Sequence, residues 1–278
     1  MKPFRVFILT TVAMIAFAAN SLLCRAALKR GTIDAASFSS IRIVAGAIAL
    51  WIILRMRKSH RGATGSWWSA AALFCYVGAF SFAYNTLSAG IGALLLFAAV
   101  QSSMIVWGFW RGERFHIRQW IGFAVACAGL VVLLLPGIST PPLTGAVLML
   151  GAGVAWGIYS LRGKGGGDPI AATAGNFLRA APMTLLLSAF FLTSMRIDAI
   201  GATYAVISGA ITSGLGYVIW YSALPGLTAT TAATVQLSAP VIAALGGILF
   251  LGETFTSRIA GASIAVLGGI ALVITKRR

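Results

Sequence analysis

The sequence predicts an all-α integral membrane protein of ten transmembrane helices, arranged as two inverted five-helix repeats. Apolar residues make up 59% of the chain and charged residues only 9%, with a mean hydropathy of +0.93. These values lie outside the range of soluble proteins. Ten apolar segments are long enough to cross a bilayer, and the two halves of the chain share a pattern of residues and spacings.

Each predicted span holds roughly 17 to 25 residues, the length that a helix needs to cross the hydrocarbon. Strands of a membrane barrel would be shorter and would alternate in polarity, so helices are predicted throughout. The short connectors contain glycine and proline, which end helices. In chain order the spans are 6–23, 38–54, 67–85, 91–110, 119–135, 143–161, 170–195, 200–224, 227–251 and 259–275.

An internal duplication divides the chain after Pro142 into a first repeat, 1–142 with spans one to five, and a second, 143–278 with spans six to ten. Related halves are typical of transporters, in which a midplane site has two symmetry-related exits. Arg42 and Arg179 both lie early in their spans. The other corresponding pairs are Phe17 and Trp156, Ser21 and Ser160, Gln101 and Gln236, Gly112 and Gly252, Glu113 and Glu253, and Arg118 and Arg258.

The distribution of basic residues predicts the orientation. Of the 21 lysines and arginines, 14 flank one face of the predicted bundle, five flank the other, and two lie within spans. Because cytoplasmic loops retain positive charge, both termini are predicted to be cytoplasmic in a bacterial inner membrane. Five spans are an odd number, so the second repeat enters the membrane upside down relative to the first.

Two alternatives concern the basic residues. Lys2 and Arg5 precede an apolar run ending near Asn20, as in a cleavable signal peptide, but its removal would leave nine spans and one unmatched repeat element. The net charge of +16 would suggest nucleic acid in a soluble protein. Here the charges form short clusters between spans, where contact with the anionic lipid surface explains them. The lipid bilayer is therefore the expected partner, and nucleic-acid binding is not expected.

The segment 236–258, reading QLSAPVIAALGGILFLGETFTSR and followed by IAGASIAVLGGIALVI, resembles the end of an EamA-type repeat of the drug/metabolite transporter superfamily. The resemblance implies a basket of two inverted repeats around a central cavity. The aromatic-rich interior resembles the branch that exports amino acids, including aromatic ones. The first half differs, because five fewer residues separate Gln101 from Glu113 than Gln236 from Glu253, and no proline corresponds to Pro240.

Polar and aromatic side chains inside the spans are the candidates for binding substrate, because each unpaired polar group is costly in hydrocarbon. Isolated polar residues can instead bond neighbouring helices, and terminal tryptophans can anchor at the interface. Arg42 and Arg179 could each bind a carboxylate, but both lie close to span starts and can snorkel, so structural roles are favoured, with Arg179 the better site candidate. The candidates are Asn20, Tyr84, Gln101, Trp156, Tyr159, Arg179, Tyr217, Tyr221, Gln236 and Ser238, with Pro182 and Pro240 as gating positions or fixed kinks.

The five carboxylates all fall in connectors or at span ends. Proton-coupled transporters commonly place a carboxylate at the membrane midplane, so we expect facilitated transport or exchange without proton coupling. Neutral or aromatic amino acids are the expected substrates, exported by alternating access. Sugar phosphates, nucleotide sugars and drugs remain alternative substrates, and a lipid flippase stays open. No catalytic motif, metal site or cofactor is expected, which disfavours an enzyme, and the chain can be a monomer or a homodimer.

Overall fold

The computed structural model describes residues 3–57, 63–110, 112, 116–135, 141–163, 168–227, 235–254 and 256–274. In these ranges the protein consists of helices joined by short turns and connectors, with an isolated β-bridge between Ile33 and Ile197. We number the helices in chain order. They are α1 (Pro3–Lys29), α2 (Ala35–Met56), α3 (Trp67–Ala83), α4 (Ala89–Trp110), α5 (Ile117–Leu134), α6 (Leu143–Gly163), α7 (Pro169–Phe190), α8 (Ala199–Gly226), α9 (Ser238–Leu251) and α10 (Ser257–Ile274).

The helix α8 is a composite. Its first part, Ala199–Ile207, and its third part, Gly216–Ala223, are α-helical, and the stretch Ser208–Leu215 between them is a π-helix. A 3₁₀ turn, Leu224–Gly226, ends the span. Short π-helical segments inside α-helices are rare and occur often at functional sites.

Polar side chains fix where several helices begin. The carboxylates of Asp34, Asp168 and Asp198 accept hydrogen bonds from the first backbone N–H groups of α2, α7 and α8. The Ser66 hydroxyl does the same for α3, and Pro169 occupies the first turn of α7, where its missing N–H has no cost. These caps explain why α2, α3, α7 and α8 begin directly after the connectors that the sequence predicted.

The contacts between helices follow an approximate twofold relationship between the two repeats. The packing of α3 on α6 is matched by α1 on α8, and that of α4 on α6 by α1 on α9. In the same way, α2 on α8 is matched by α3 on α7. The pairs α2–α7, α4–α9 and α5–α10 each join equivalent helices. The predicted fold of ten helices in two repeats is therefore confirmed.

Helices α5 and α10 approach closely along small residues. A methyl group added at Gly122 would lie 2.6 Å from the carbonyl oxygen of Gly269, and one at Gly129 would lie 2.8 Å from Ala265. Such small residues let helix backbones pack closely in a membrane. At Gly261, by contrast, none of the described atoms would lie within 4 Å of such a methyl group.

Connectors meet at the two ends of the bundle. At the amino-terminal end, where α1 begins, Thr64 N donates to Ala171 O and Gln119 Nε2 donates to Val273 O. At the opposite end, Asp34 N donates to Arg196 O. Consecutive connectors thus alternate between the ends, as single passes through a bilayer require.

Three helices differ from the predicted spans by five residues or more, and one of them, α7, ends at Phe190 instead of residue 195. The helix α1 continues to Lys29 instead of ending at residue 23, because Arg25 and Lys29 find hydrogen-bond acceptors near their helix end. The helix α9 begins at Ser238, after a turn at Leu237, and 228–234 lie outside the described residues. Pro240 therefore lies in the first turn of α9, whereas Pro182 lies inside α7.

Candidate functional site

A narrow cavity of about 20 Å³ lies among α1, α3, α4, α6 and α8. These helices come from both repeats. The cavity therefore occupies the junction between the repeats, where transporters of this architecture hold their substrates. Its wall consists of Phe17, Asn20, Ser21, Tyr76, Phe80, Leu96, Phe97, Trp156, Thr212 and Tyr217.

Aromatic rings form a continuous cluster along one part of the wall. The ring of Trp156 lies with its centre 4.9 Å from Tyr76 and 4.9 Å from Tyr217, and Phe17 packs edge-on against Trp156 and Tyr217 at 6.4 and 6.0 Å. These separations are those of favourable aromatic pairs. The cluster offers apolar area and negatively polarised ring faces to a bound molecule.

The polar part of the wall is organised by the π-helical segment of α8. The Asn20 side-chain oxygen accepts hydrogen bonds from the hydroxyls of Ser208 at 2.7 Å and Thr212 at 3.3 Å. All three residues are buried. Because their hydrogen bonds join α1 to α8, the cavity has a fixed amide and hydroxyl group beside the rings.

Next to the cavity, Arg42 is completely buried in α2. Its Nε donates to Ser213 Oγ at 3.1 Å and its Nη2 donates to Tyr76 Oη at 3.2 Å. The guanidinium carbon lies 5.3 and 5.0 Å from the ring centres of Tyr76 and Phe80, which both belong to the cavity wall. This geometry brings a permanent positive charge to the wall of the site.

The four described carboxylates lie away from the cavity. Asp34, Asp168 and Asp198 cap helices, and Glu253 accepts two hydrogen bonds from Ala89 N, the first residue of α4. Helix N-termini stabilise negative charge, so these groups have a structural role. Glu113 lies outside the described residues.

Asp34 also holds two connectors together. Its Oδ2 accepts a hydrogen bond from the N–H of Arg196. Burial alone would raise the pKa of the Asp34 carboxyl, but hydrogen bonds from Ser37, Arg196 and Ala36 hold that pKa below its ordinary value of 3.8. The side chain therefore stays ionised at neutral pH.

Five of the residues expected at the site lie in the wall or close to it. Asn20, Trp156 and Tyr217 line the cavity. Tyr84 packs behind the wall against Phe80, with 4.8 Å between ring centres, and Tyr159 packs behind Trp156 at 5.5 Å. Asn176 Nδ2 donates to Tyr159 Oη at 3.4 Å. These tyrosines can orient the wall without lining it.

Gln101 is buried in α4 beyond Phe97, and its Nε2 has no hydrogen-bond partner among the described residues. Arg179 lies at the amino-terminal end of the bundle, where its Nη1 donates to Thr64 O at 2.6 Å and Gly175 O at 2.9 Å. The structure thus places Arg179 away from the cavity, and Arg42 is the arginine beside it.

The remaining expected residues also lie outside the cavity wall. Tyr221 packs beside Gly163 near the amino-terminal end of the bundle. The Ser238 hydroxyl donates to Val235 O at the start of α9. Gln236 is half-buried in the short helical turn just before it.

Several wall residues were absent from the predicted set. Tyr76 and Phe80 are one helical turn apart in α3, and Phe17 matches Trp156 in the repeat, so the sequence contained a signal for them. Leu96, Phe97 and Thr212 gave no comparable signal, because apolar or hydroxyl residues occur on every face of a membrane helix. Their role follows from the packing of α4 and α8.

Known proteins resemble the chain over its whole length. The sequence model of the EamA-like transporter family matches twice, at residues 5–135 and 143–275. An uncharacterised protein of Pseudomonas aeruginosa is 55% identical, with 98% of this chain and 96% of that protein aligned. The threonine/homoserine exporter of Escherichia coli is 32% identical over 56% of this chain and 55% of its own length.

A solved crystal structure of a protein 17% identical in sequence shares the fold, with a TM-score of 0.69 and coverage of 96% of both chains. The two family matches together span nearly all of the chain. The helical packing and the cavity between the repeats agree with that assignment. The chain belongs to the EamA-like transporter family and is a multi-pass membrane transporter.

Proposed function

We propose that this transporter exports neutral amino acids, including aromatic ones, across the bacterial inner membrane by alternating access. The observation that carries the proposal is the composition of the cavity wall. It combines aromatic rings with the amide of Asn20 and the hydroxyls of Ser21 and Thr212, and the guanidinium of Arg42 lies beside it. A zwitterion with an uncharged side chain is the small metabolite that such a wall suits best.

The cavity wall offers a suitable surface to the ammonium group and to the side chain of an amino acid. The faces of Trp156 and Tyr217 attract an ammonium group through their ring electrons. Phe97 and Leu96 provide apolar contact for a side chain. Aromatic side chains gain further from edge and offset contacts with the wall. The similarity to a threonine/homoserine exporter of Escherichia coli supports this class of substrate.

The position of the carboxylates supports transport without proton coupling. The four that the structure describes bind helix N-termini, so none of them is available in the cavity to carry a proton. Facilitated diffusion or exchange is therefore proposed. Sugar phosphates fit less well, because several cavity lysines or arginines are needed to hold a phosphate group.

We also propose that the repeats comprise residues 1–142 and 143–278, with both termini in the cytoplasm. The excess of basic residues at the amino-terminal end of the bundle supports this orientation. A fluorescent protein fused to the C-terminus is expected to fluoresce, and alkaline phosphatase fused there to be inactive. Active phosphatase at the C-terminus would contradict the orientation.

The direct test is counterflow in proteoliposomes containing the purified protein. Vesicles loaded with one unlabelled amino acid are mixed with labelled phenylalanine, threonine, homoserine, lysine or glutamate, with and without a pH gradient. Saturable accumulation of neutral amino acids that is unaffected by the gradient is expected. Absence of uptake for all five, or uptake only with a proton gradient, would remove the proposed function.

Paired tryptophan variants test whether the cavity is the route. Trp156→Ala removes a ring of the wall and is expected to lower neutral amino-acid flux about fivefold or more, since one ring contact with a cation or ring contributes about 1 kcal/mol or more. Trp110→Ala removes a ring that is 80% exposed at the end of α4 and should leave flux unchanged. Equal flux in both variants would place transport elsewhere.

A further inference from the structure

Arg42 has a charge that its surroundings do not balance. It is the largest fully buried side chain and the only buried Asp, Glu, Lys or Arg in the part of the chain that the structure describes. A guanidinium does not lose its proton at physiological pH. A permanent charge inside a membrane protein is costly unless an opposite charge or a set of hydrogen-bond acceptors compensates for it.

The present partners of Arg42 are all neutral. Nε and Nη2 reach the hydroxyl oxygens of Ser213 and Tyr76, and the rings of Tyr76 and Phe80 lie against the guanidinium. Nη1 is buried and has no hydrogen-bond partner among the residues that the structure describes. The group therefore lacks one acceptor and one negative charge.

The described carboxylates do not supply that charge. Asp34, Asp168, Asp198 and Glu253 each accept hydrogen bonds from the first turn of a helix, and Glu253 is also paired with Arg25. These interactions hold the acidic groups in the connectors. The missing anion must accordingly come from outside the described part of the protein.

The cavity lies next to the guanidinium, with the rings of Tyr76 and Phe80 between the two. Tyr76 and Phe80 contact Arg42 on one side and line the cavity on the other. Ser213, which binds Nε, follows the wall residue Thr212 directly in the π-helical segment of α8. A carboxylate in the cavity is one layer of rings away from the guanidinium, and a shift of the Tyr76 or Phe80 side chain brings the two groups into contact.

We propose that Arg42 binds the carboxylate group of the transported substrate. Its free Nη1 donates the hydrogen bond that lacks an acceptor in this structure, and the paired charges compensate for burial of both. This inference rests on the proposed function, because it assigns one group of an amino acid to one residue. It also predicts that a free carboxylate is a requirement for transport.

The test is a competition assay in the same proteoliposomes. Counterflow of a labelled neutral amino acid is inhibited either by the unlabelled amino acid or by its primary amide, which keeps the ammonium and side chain but has no carboxylate. The amide is expected to compete at least tenfold more weakly with the wild-type protein. Equal inhibition by acid and amide overturns the inference while leaving the proposed function intact.

Arginine variants assign the discrimination to one residue. In Arg42→Gln, the amide and the acid are expected to inhibit counterflow at about the same concentration. Arg42→Lys should keep part of the preference for the acid. The matched control is Arg179→Gln, which removes the other arginine inside a predicted span. Its guanidinium is bound by two carbonyl oxygens, so the preference for the acid should persist. A folded Arg42→Gln protein that keeps the wild-type preference overturns the inference.

Two further outcomes are decisive. If Arg42→Gln fails to insert, the wild-type preference still tests the need for a carboxylate, because that comparison uses no variant. If a resident chloride ion balances Arg42, flux falls when gluconate replaces chloride and the amide competes as well as the acid, which overturns the inference. Absence of amino-acid flux under all conditions removes the proposed function and, with it, this assignment.

Discussion

Arg25 and Glu253 form an ion pair that ties α1 to the connector between α9 and α10, with 3.3 Å between Nε and Oε1. Both side chains are largely buried. Arg25 Nη1 also donates to the carbonyl oxygens of Tyr84 and Asn85 at the end of α3, and Glu253 accepts from Ala89 N at the start of α4. One pair of residues thus holds four helices together at one end of the bundle.

Replacement of Glu253 should destabilise the protein in a graded order. Glu253→Gln keeps an acceptor for Ala89 N but loses the charge opposite Arg25, whereas Glu253→Ala loses both. We expect the melting temperature in detergent to fall from wild type to Gln to Ala, with about 1 kcal/mol lost for the helix cap alone. Thr254→Ala, at the exposed neighbouring position, should change stability by less than about 0.5 kcal/mol. An Ala variant as stable as the wild type would contradict the role of Glu253.

Asn20 should be required for transport more than for folding. Asn20→Leu keeps the size of the side chain but removes the acceptor for Ser208 and Thr212 and makes the wall apolar. Hydrogen bonds to a charged ligand contribute about 1.5–3 kcal/mol, so a loss of flux of roughly tenfold or more is expected in counterflow. Ser222→Ala is the control, because that hydroxyl is exposed and bonds only Val218 O in its own helix. Unchanged flux in Asn20→Leu would exclude Asn20 from the site.

Adjacent glycines in α10 should respond oppositely to the same substitution. A methyl group at Gly269 would lie 2.6 Å from the backbone nitrogen of Ala126, whereas none of the described atoms is within 4 Å of one at Gly268. Gly269→Ala is expected to lower stability by about 1–3 kcal/mol through overpacking, and Gly268→Ala to be neutral or slightly stabilising. Melting temperatures of the two variants in one detergent test this. Equal values would mean that α5 and α10 are less tightly packed than described.

Asp34 should make stability depend on pH only in strong acid. Its folded pKa lies below the ordinary value of 3.8, so its stabilising contribution is complete above that value and is lost as the pH falls through the folded pKa. The difference in melting temperature between wild type and Asp34→Asn should be constant from pH 7 to about 5 and shrink below about 4. A difference that stays constant down to pH 3 would show that the ionised carboxylate is not what stabilises the connector.

The sequence was sufficient for the helices and their pairing because hydrophobic length and duplication are both local signals. The exact ends of the helices were harder to predict from the sequence. The extension of α1 to Lys29 depends on acceptors for Arg25 and Lys29 that are provided by residues 84, 85, 251 and 253. Such partners, distant in sequence, are visible only after the chain has folded.

The candidate site shows the same division. Asn20, Trp156 and Tyr217 were selected from the sequence as polar or aromatic residues inside spans, and they line the cavity. Arg42 was expected to snorkel like Arg179 from an early position in its helix. Its burial depends on the hydroxyls of Ser213 and Tyr76, which belong to other helices, and the sequence around Arg42 contains no sign of them.

The π-helix at Ser208–Leu215 has a consequence for movement. Residues of an α-helix are turned by about 100° from one to the next, so a change to α-helical hydrogen bonding that shifts the chain by one residue would rotate everything beyond the segment by that angle. Tyr217 lies two residues past the end of the π-helix. A change of hydrogen-bond register within α8 is therefore enough to swing a cavity ring to another side of its helix, while the backbone remains helical throughout.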